Sequence, residues 1–583
     1  MLKRITLLLL GIATCHAADP AGIEWRSFDK DLLEQARAQH KLVFVDVEAV
    51  WCHWCHVMDA KTYSDTVVQA ALAKDFVCTK VDQDARPDIS RRYGDYGWPA
   101  LVILDPVTMK ERAIGSGFQP PADFLALLEK ARTGKARKSG SQEKASGEFL
   151  SDAQRKQLGG QMADGFDADE KGWGNRHKYV NWQNVELCIR HSQGGEPGSD
   201  SGAKAVAQDT LEAGRKLIDP VWGGVYQYST DGDWVHPHFE KIMEFQGEIC
   251  RVYALAYLAY GRDADLASAR QIVKFMRDFL KSDEGAFFTS QDADVVEGEH
   301  SADYFVLGDA ERRQRGIPRI DRHLYARENG FAITALVWLW QASGDEVDLA
   351  DATRAAEWVM EHRSLPEGGF AHDEKDAYGP YLGDQAQMLR GLLALHEATG
   401  EARWLERAEA CADFIDRKLK RPVKEGAGYF AGAAYPDQPA PVADLDENLS
   451  LARSFNLLFR VTAEARFKAH AAHAMRYCSS HEALDGLLSN VGGVLLADQE
   501  LTHEPAHIAI VGKKDDPTAK ALFLAAQHQP SSYRVIDWID PGAPAKQNGI
   551  EYPAPEHAAA FLCSGGRCSR PLATPAELLE KFR

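Results

Sequence analysis

The stretch Trp51-Cys52-His53-Trp54-Cys55-His56 constrains this chain most, because a Cys-x-x-Cys set between a strand-length apolar run and a helical pattern favours disulfide exchange. Upstream, Leu42-Val43-Phe44-Val45-Asp46-Val47 is β-branched, apolar and of strand length. Downstream, Val57 to Ala73 carries apolar residues at helical spacing and is expected to form one helix. The two cysteines then bracket the first helical turn. Unpaired amides and the positive end of the helix dipole favour a thiolate there, so Cys52 is the expected nucleophile and Cys55 the resolving thiol.

Three more residues sharpen this. Asp46 lies on the strand upstream of Cys52, Trp51 directly precedes the dithiol, and Trp98-Pro99 leads into the apolar strand Ala100-Leu101-Val102-Ile103-Leu104. In this order, strand, acid, dithiol and proline resemble the thioredoxin superfamily. The resemblance implies that Asp46 is a buried acid of raised pKa that takes a proton from the second cysteine, and that Pro99 is a cis proline bordering the dithiol. Other chemistries use similar letters. Cys-x-x-Cys-His is the attachment motif of c-type haem, a Cys/His zinc site is a further reading, and an inert or merely substrate-binding pair is the bland one.

A chain of 583 residues exceeds one core and is expected to form two to four domains. Its 86 acidic against 67 basic residues give a formal charge of −19, which argues against nucleic acid or an anionic membrane as the main partner. Residues 1–18 carry Lys3 and Arg4, the apolar run Ile5 to Ala13, and small residues at Ala17-Ala18, the pattern of a cleaved export signal. That run is too short to remain as a membrane span, so a soluble, exported and periplasmic protein is expected. Of ten cysteines, only Cys52/Cys55 and Cys563/Cys568 form close pairs. Cys78, Cys188, Cys250, Cys411 and Cys478 sit among apolar residues as small buried hydrophobes.

The expected organisation is an α/β domain over 21–132, a Gly/Ser/Lys/Glu linker over 133–147, a helical region over 148–500 and a small α/β unit over 501–583. In the helical region a glycine-plus-aromatic or Gly-Gly element recurs at Gly172, Gly223, Gly285, Gly368, Gly428 and Gly492, mostly at a spacing of roughly 50 to 65 residues. Such a period fits two helices with their loops, and six of them predict an (α/α)6 toroid of six hairpins, each glycine making the tight turn within its hairpin. Near the C-terminus, His507 to Gly512 and Tyr533 to Asp537 read as strands, Pro517 to Gln527 and Pro575 to Phe582 as helices.

Longer motifs extend the resemblance. Cys-His-Trp-Cys-His-Val-Met at 52–58, Val81-Asp82, Arg86-Pro87-Asp88, Gly97-Trp98-Pro99, Trp234, Pro237-His238-Phe239-Glu240-Lys241 and Gln291-Asp292-Ala293-Asp294 are similar to the thioredoxin-domain family that includes the animal spermatogenesis-associated thioredoxin-like protein and many bacterial chains. This implies a thioredoxin-like domain fused to a six-hairpin, glycosidase-like toroid. The chain departs from the family in a short segment between Asp88 and Trp98, in Ser116-Gly117-Phe118-Gln119-Pro120, and in its export signal.

A second candidate site follows from the toroid, whose cavity is expected to collect Trp234, His236, His238, Glu240, Asp292, Asp294, Tyr381 and Asp384. A carboxylate pair there suits glycosidic-bond hydrolysis, and a carboxylate with a histidine suits epimerisation. Equally, Glu240, Asp292 and Asp384 can cap helices or pair with Lys241. Cys563 and Cys568 are expected to form a structural disulfide, the sharper alternative being a relay to the first pair. The first reading is thus an exported thiol-disulfide oxidoreductase using Cys52, Cys55, Asp46, His53 and Pro99, with no cofactor and no metal, acting on a protein thiol or disulfide or on a small ligand. The alternatives are a carbohydrate-active or carbohydrate-binding toroid, in which sugar is the ligand, and a c-type haem protein.

Overall fold

The computed structural model describes residues 22–134, 147–193, 202–540, 555–564 and 567–582. The export pattern and most of the 133–147 linker lie outside the described residues. Two compact units emerge: one from Met1–Glu48, Trp54–Val81 and Tyr96–Arg137, the other from Ala49–His53, Asp82–Asp95 and Lys138–Arg583. The second unit therefore contains the residues leading into the dithiol.

The first unit is built on a five-stranded sheet of β1 (Trp25–Arg26), β2 (Leu42–Glu48), β3 (Phe76–Asp82), β4 (Ala100–Leu104) and β5 (Glu111–Ser116), in the order β1-β3-β2-β4-β5. β4 runs antiparallel to both β2 and β5. β2 and β4 are apolar and buried nearly throughout, and their Phe44, Leu101 and Ile103 pack with Leu72, Phe124 and Leu128 of the helices α3 (Thr66–Asp75) and α5 (Pro121–Thr133). α1 (Lys30–Ala38) precedes β2, and α2 (His53–Met58) follows it. The single helix expected over Val57 to Ala73 is broken: α2 widens into a π-helical turn over Asp59–Tyr63, and Asp65 then caps α3 by accepting from Val67 N at 2.8 Å and Val68 N at 3.1 Å. Ser64-Asp65 is the local stop that the apolar spacing concealed. α4 (Pro87–Tyr93) belongs to the second unit.

In the second unit six helices form an inner ring, α7 (Trp182–Ser192), α9 (Met243–Tyr260), α13 (Ala326–Ser343), α15 (Leu382–Thr399), α17 (Leu445–Thr462) and α20 (Gly492–Thr502), each packing on the next and α20 returning to α7. Around them α8 (Ala203–Gly214), α10 (Asp263–Phe275), α14 (Glu346–His362), α16 (Ala402–Lys418) and α18 (Ala465–Cys478) back one inner helix each, and α6 (Asp152–Asp164) backs α20. Short helices α11 (Ala302–Phe305), α12 (Asp309–Arg315) and α19 (His481–Leu484) lie in the connections. Inner helices such as α13 are apolar nearly all round and buried, as a ring inside a ring requires. Where α13 and α15 cross, a side chain at Gly330 would meet the Gln387 backbone at 2.5 Å, so only glycine fits.

The glycine elements are not the turns within hairpins. Those turns are short and left-handed at Gly261 (φ +67°), Gly344 (+70°), Gly400 (+65°) and Ala463 (+60°), each ending an inner helix. Gly172, Gly223, Gly285, Gly368 and Gly428, all at positive φ, lie on the opposite connections, from an outer helix to the next inner one. Gly492 and Gly493 start α20 itself, where a Cβ on Gly492 would lie 2.6 Å from Asn184 N of α7. After four of these glycines a buried amide from the following inner helix clamps the chain: Gln246 on Val225, Asn329 on Phe287, Gln385 on Phe370 and Asn448 on Tyr429, each accepting the backbone N–H and donating to the C=O of the same residue.

Short strands β6 (Tyr228–Ser229) and β7 (Pro237–His238) pair with each other, while β8 (Lys241–Ile242), β9 (Ser290–Gln291) and β10 (Ile320–Asp321) make a small antiparallel sheet. At the C-terminal end, β11 (Ala506–Val511), β12 (Arg534–Ile539), β13 (Ala559–Ser564) and β14 (Arg567–Cys568) form a sheet in the order β12-β11-β13-β14, covered by α21 (Pro517–Ala526) and α22 (Pro575–Glu580). Cys563 and Cys568 face each other across β13 and β14 and are joined as a disulfide. Among the described residues, Cys78, Cys188, Cys250, Cys411 and Cys478 are free and buried. No helix among the described residues is long and apolar enough to cross a membrane.

Candidate active site at the dithiol

β2 carries the chain to the site, and the Cys52 amide donates to Ala49 O at 3.1 Å as α2 begins at His53. Cys52 and Cys55 are each disulfide-bonded and nearly buried, 4% and 2% exposed. Trp54 is the open residue of the motif, and its ring stacks on Phe118 at 6.0 Å, so the divergent Ser116 to Pro120 segment forms the wall beside it.

Asp46, on β2, is buried with its Oδ1 unpartnered. Burial lifts its pKa well above the usual carboxylate range, Glu48 and Asp59 add repulsion, and Lys80 opposes them. Lys80 itself is held by Glu48 at 2.8 Å and Asp59 at 2.7 Å. The Trp98–Pro99 peptide is cis, and Pro99 directly precedes Ala100, which pairs with Val47; proline and dithiol thus lie at the same end of the sheet.

Within the second unit, the Ala49–His53 segment makes contacts of its own. Trp51 Nε1 donates to Asp84 Oδ2 at 2.8 Å, and Ala293 N donates to Trp51 O at 3.5 Å. His53 Nδ1 lies 2.8 and 3.0 Å from the two carboxylate oxygens of Asp294, a residue 241 positions away. Asp294 is fixed in turn: its N–H donates to Asp292 Oδ1 at 3.0 Å and its Oδ2 accepts from Gly298 N at 2.9 Å. The His300 ring meets His53 edge-on at 5.6 Å and His238 at 6.3 Å, and the Glu240 carboxylate lies 3.8 Å from His238, which stacks on Tyr228.

The eight residues expected in one toroid cavity separate into three groups. His238, Glu240, Asp292 and Asp294 gather beside His53. Tyr381 and Asp384 gather at His372, whose Nδ1 donates to Asp384 Oδ1 at 2.9 Å and whose Nε2 donates to Asp84 O at 2.7 Å. Burial opposes charge on His372, but Asp384 and Glu328 outweigh it and raise its pKa to about 9. Trp234 and His236 are loop anchors: Trp234 is fully buried with Nε1 donating to Glu170 O and Lys171 O, and His236 faces outward against Asp233. Lys241 pairs with Asp219 rather than with Glu240, Asp292 or Asp384.

None of the eight lines the cavity inside the ring, which has a volume of about 1150 Å³ including its open mouth and is walled by Trp182, Phe331, Trp338, Gln387 and several ion pairs. Glu248 there is held by Arg251 and Arg390; although burial works against ionisation, these guanidinium groups keep its pKa at about 2. The cavity was misassigned from sequence because its walls are mid-helix residues indistinguishable from core by spacing. Asp84 and His300 carried no motif, and only contact reveals them.

Residues 12–129 match a thioredoxin-type family described as "Protein of unknown function, DUF255". Over nearly its whole length the chain is similar to human spermatogenesis-associated protein 20, at 22% identity with 97% of this chain and 90% of that protein covered. The uncharacterized protein B0495.5 of Caenorhabditis elegans is 22% identical over 90% of this chain and 79% of its own length. Among solved structures, a D-mannose isomerase (TM-score 0.48, 12% identity, 60% of this chain and 96% of that one) and a sugar epimerase from a ruminal bacterium (TM-score 0.45, 12%, 60% and 98%) are similar to it.

Proposed function

We propose, from the thioredoxin-type family domain at residues 12–129 in a chain resembling spermatogenesis-associated protein 20 from end to end, that this protein is an exported thiol-disulfide oxidoreductase. The observation that carries the reading is that both cysteines of the Cys-x-x-Cys motif at the start of α2 are disulfide-bonded, with a buried Asp46 of raised pKa on the strand before them. In the reduced form the Cys52 thiolate attacks a substrate disulfide, one sulfur of which leaves as a thiol. Asp46 takes the Cys55 proton, and the Cys55 thiolate attacks the Cys52 sulfur, releasing the second thiol and leaving the enzyme pair oxidised by two electrons. An external dithiol or thiol pool restores the reduced form, and the reverse sequence oxidises a substrate. Near burial of both sulfurs favours small or extended substrates over folded surfaces.

Trapping tests this. Cys55→Ser is expected to accumulate a mixed disulfide through Cys52, and Cys52→Ser none; equal trapping by both, or by neither, contradicts the exchange sequence. Export rests on residues 1–18, and N-terminal sequencing of protein recovered from the periplasm is expected to begin after Ala18.

A second reading has the ring cavity in its support. Its aromatic walls and polar lining suit a small polar ligand such as a sugar. Calorimetric titration of mannose or cellobiose tests it, and a Trp338→Ala variant that loses the heat would place binding inside the ring.

A further inference from the structure

We infer that Asp294 is a positioning residue of the dithiol centre and acts through His53. This rests on the exchange reading above. An ionised carboxylate has no proton to donate, so its two contacts to Nδ1 require that nitrogen to carry hydrogen. The tautomer is thereby fixed with hydrogen on Nδ1. Both groups are buried, 6% and 3% exposed, and Asp294 is itself immobilised by the Asp292 side chain and the Gly298 amide. The His300 ring meets His53 edge-on and lies beside the His238 ring.

The proton path follows. The Cys52 thiolate attacks the substrate disulfide, the old S–S bond breaks, and the leaving sulfur takes up the proton that Cys52 gave up, while the adjacent His53, oriented by Asp294, favours the thiolate. One S–S bond forms as one breaks, and the ring is unchanged at the end. The Gln291-Asp292-Ala293-Asp294 motif is thus part of the redox centre and not of a sugar site.

The test uses the full chain in a Cys55→Ser background, with alkylation of Cys52 by iodoacetamide followed by peptide mass from pH 5 to 9. Asp294→Asn preserves shape but removes the charge and replaces one of the two acceptor oxygens by an NH2 donor, and is expected to slow Cys52 alkylation at pH 7 by at least about tenfold. The same substitution on top of His53→Gln is expected to change the rate by less than about twofold, since its route is already cut. An unaltered rate, or an equal loss with and without His53, overturns the proposal. Should Asp294→Asn fail to fold, nitrogen-15 NMR of histidine-labelled wild-type protein decides: His53, assigned by its loss in His53→Gln, must show hydrogen on Nδ1, and an Nε2–H neutral tautomer contradicts the inference. If wild-type Cys52 and Cys55 do not interconvert at all, the exchange reading fails, while the tautomer still judges the His53–Asp294 pairing on its own.

Discussion

At the scale of single residues, Asp46 links stability to chemistry. Its folded pKa is raised by burial above the ordinary carboxylate value, so the folded chain holds this proton more tightly than the unfolded chain. That contribution to stability is fully present below about pH 4 and is lost as pH rises through the folded value. Asp46→Asn mimics the protonated form, so the variant is expected to melt a few degrees above wild type at pH 8, about 2–4 °C, and level with it near pH 4, while resolving the mixed disulfide more slowly. A pH series of melting curves checks it, and an unchanged difference across pH contradicts the linkage. The burial of Asp46 and the cis Trp98–Pro99 peptide were legible in the sequence because each belongs to one of two paired apolar strands or directly precedes it. The His53–Asp294 and Trp51–Asp84 pairs were not, because tertiary contact alone unites residues with no shared local pattern.

At the scale of elements, the ring repeats two devices. One is the left-handed turn that ends each of four inner helices, held by glycine three times and by Ala463 once. A Cβ in that conformation costs roughly 1 kcal/mol, so Ala463→Gly is expected to stabilise the protein by about that amount in denaturant unfolding. The other is the amide clamp. Gln385→Leu leaves the Phe370 N–H and C=O without partners in a buried loop and is expected to cost about 3 kcal/mol, measured the same way. The helix-pair period was legible because glycine punctuates the outer-to-inner connections. Its assignment to the hairpin turns failed because composition marks a loop without saying which side of the ring it occupies. The break in the helix after Met58 was hidden similarly, since apolar spacing continues across the Asp65 cap.

At the scale of the whole molecule, ring closure brings α20 onto α7 and α6, joining elements more than three hundred residues apart. No local signal announces that closure; it follows from the need to bury the last inner helix. Packing also assigns Ala49–His53 and Asp82–Asp95 to the helical unit, so the sequence that reads as one thioredoxin-like domain contributes to two compact bodies. Thiol-disulfide exchange requires the Cys52/Cys55 pair to be a working redox couple. Equilibration of the purified protein with glutathione buffers, with alkylated thiols counted by mass, tests it most directly. A reversible two-electron transition between roughly −120 and −270 mV, abolished in Cys52→Ser, is the expected result. A pair that stays oxidised throughout that range, or a transition that survives Cys52→Ser, contradicts it.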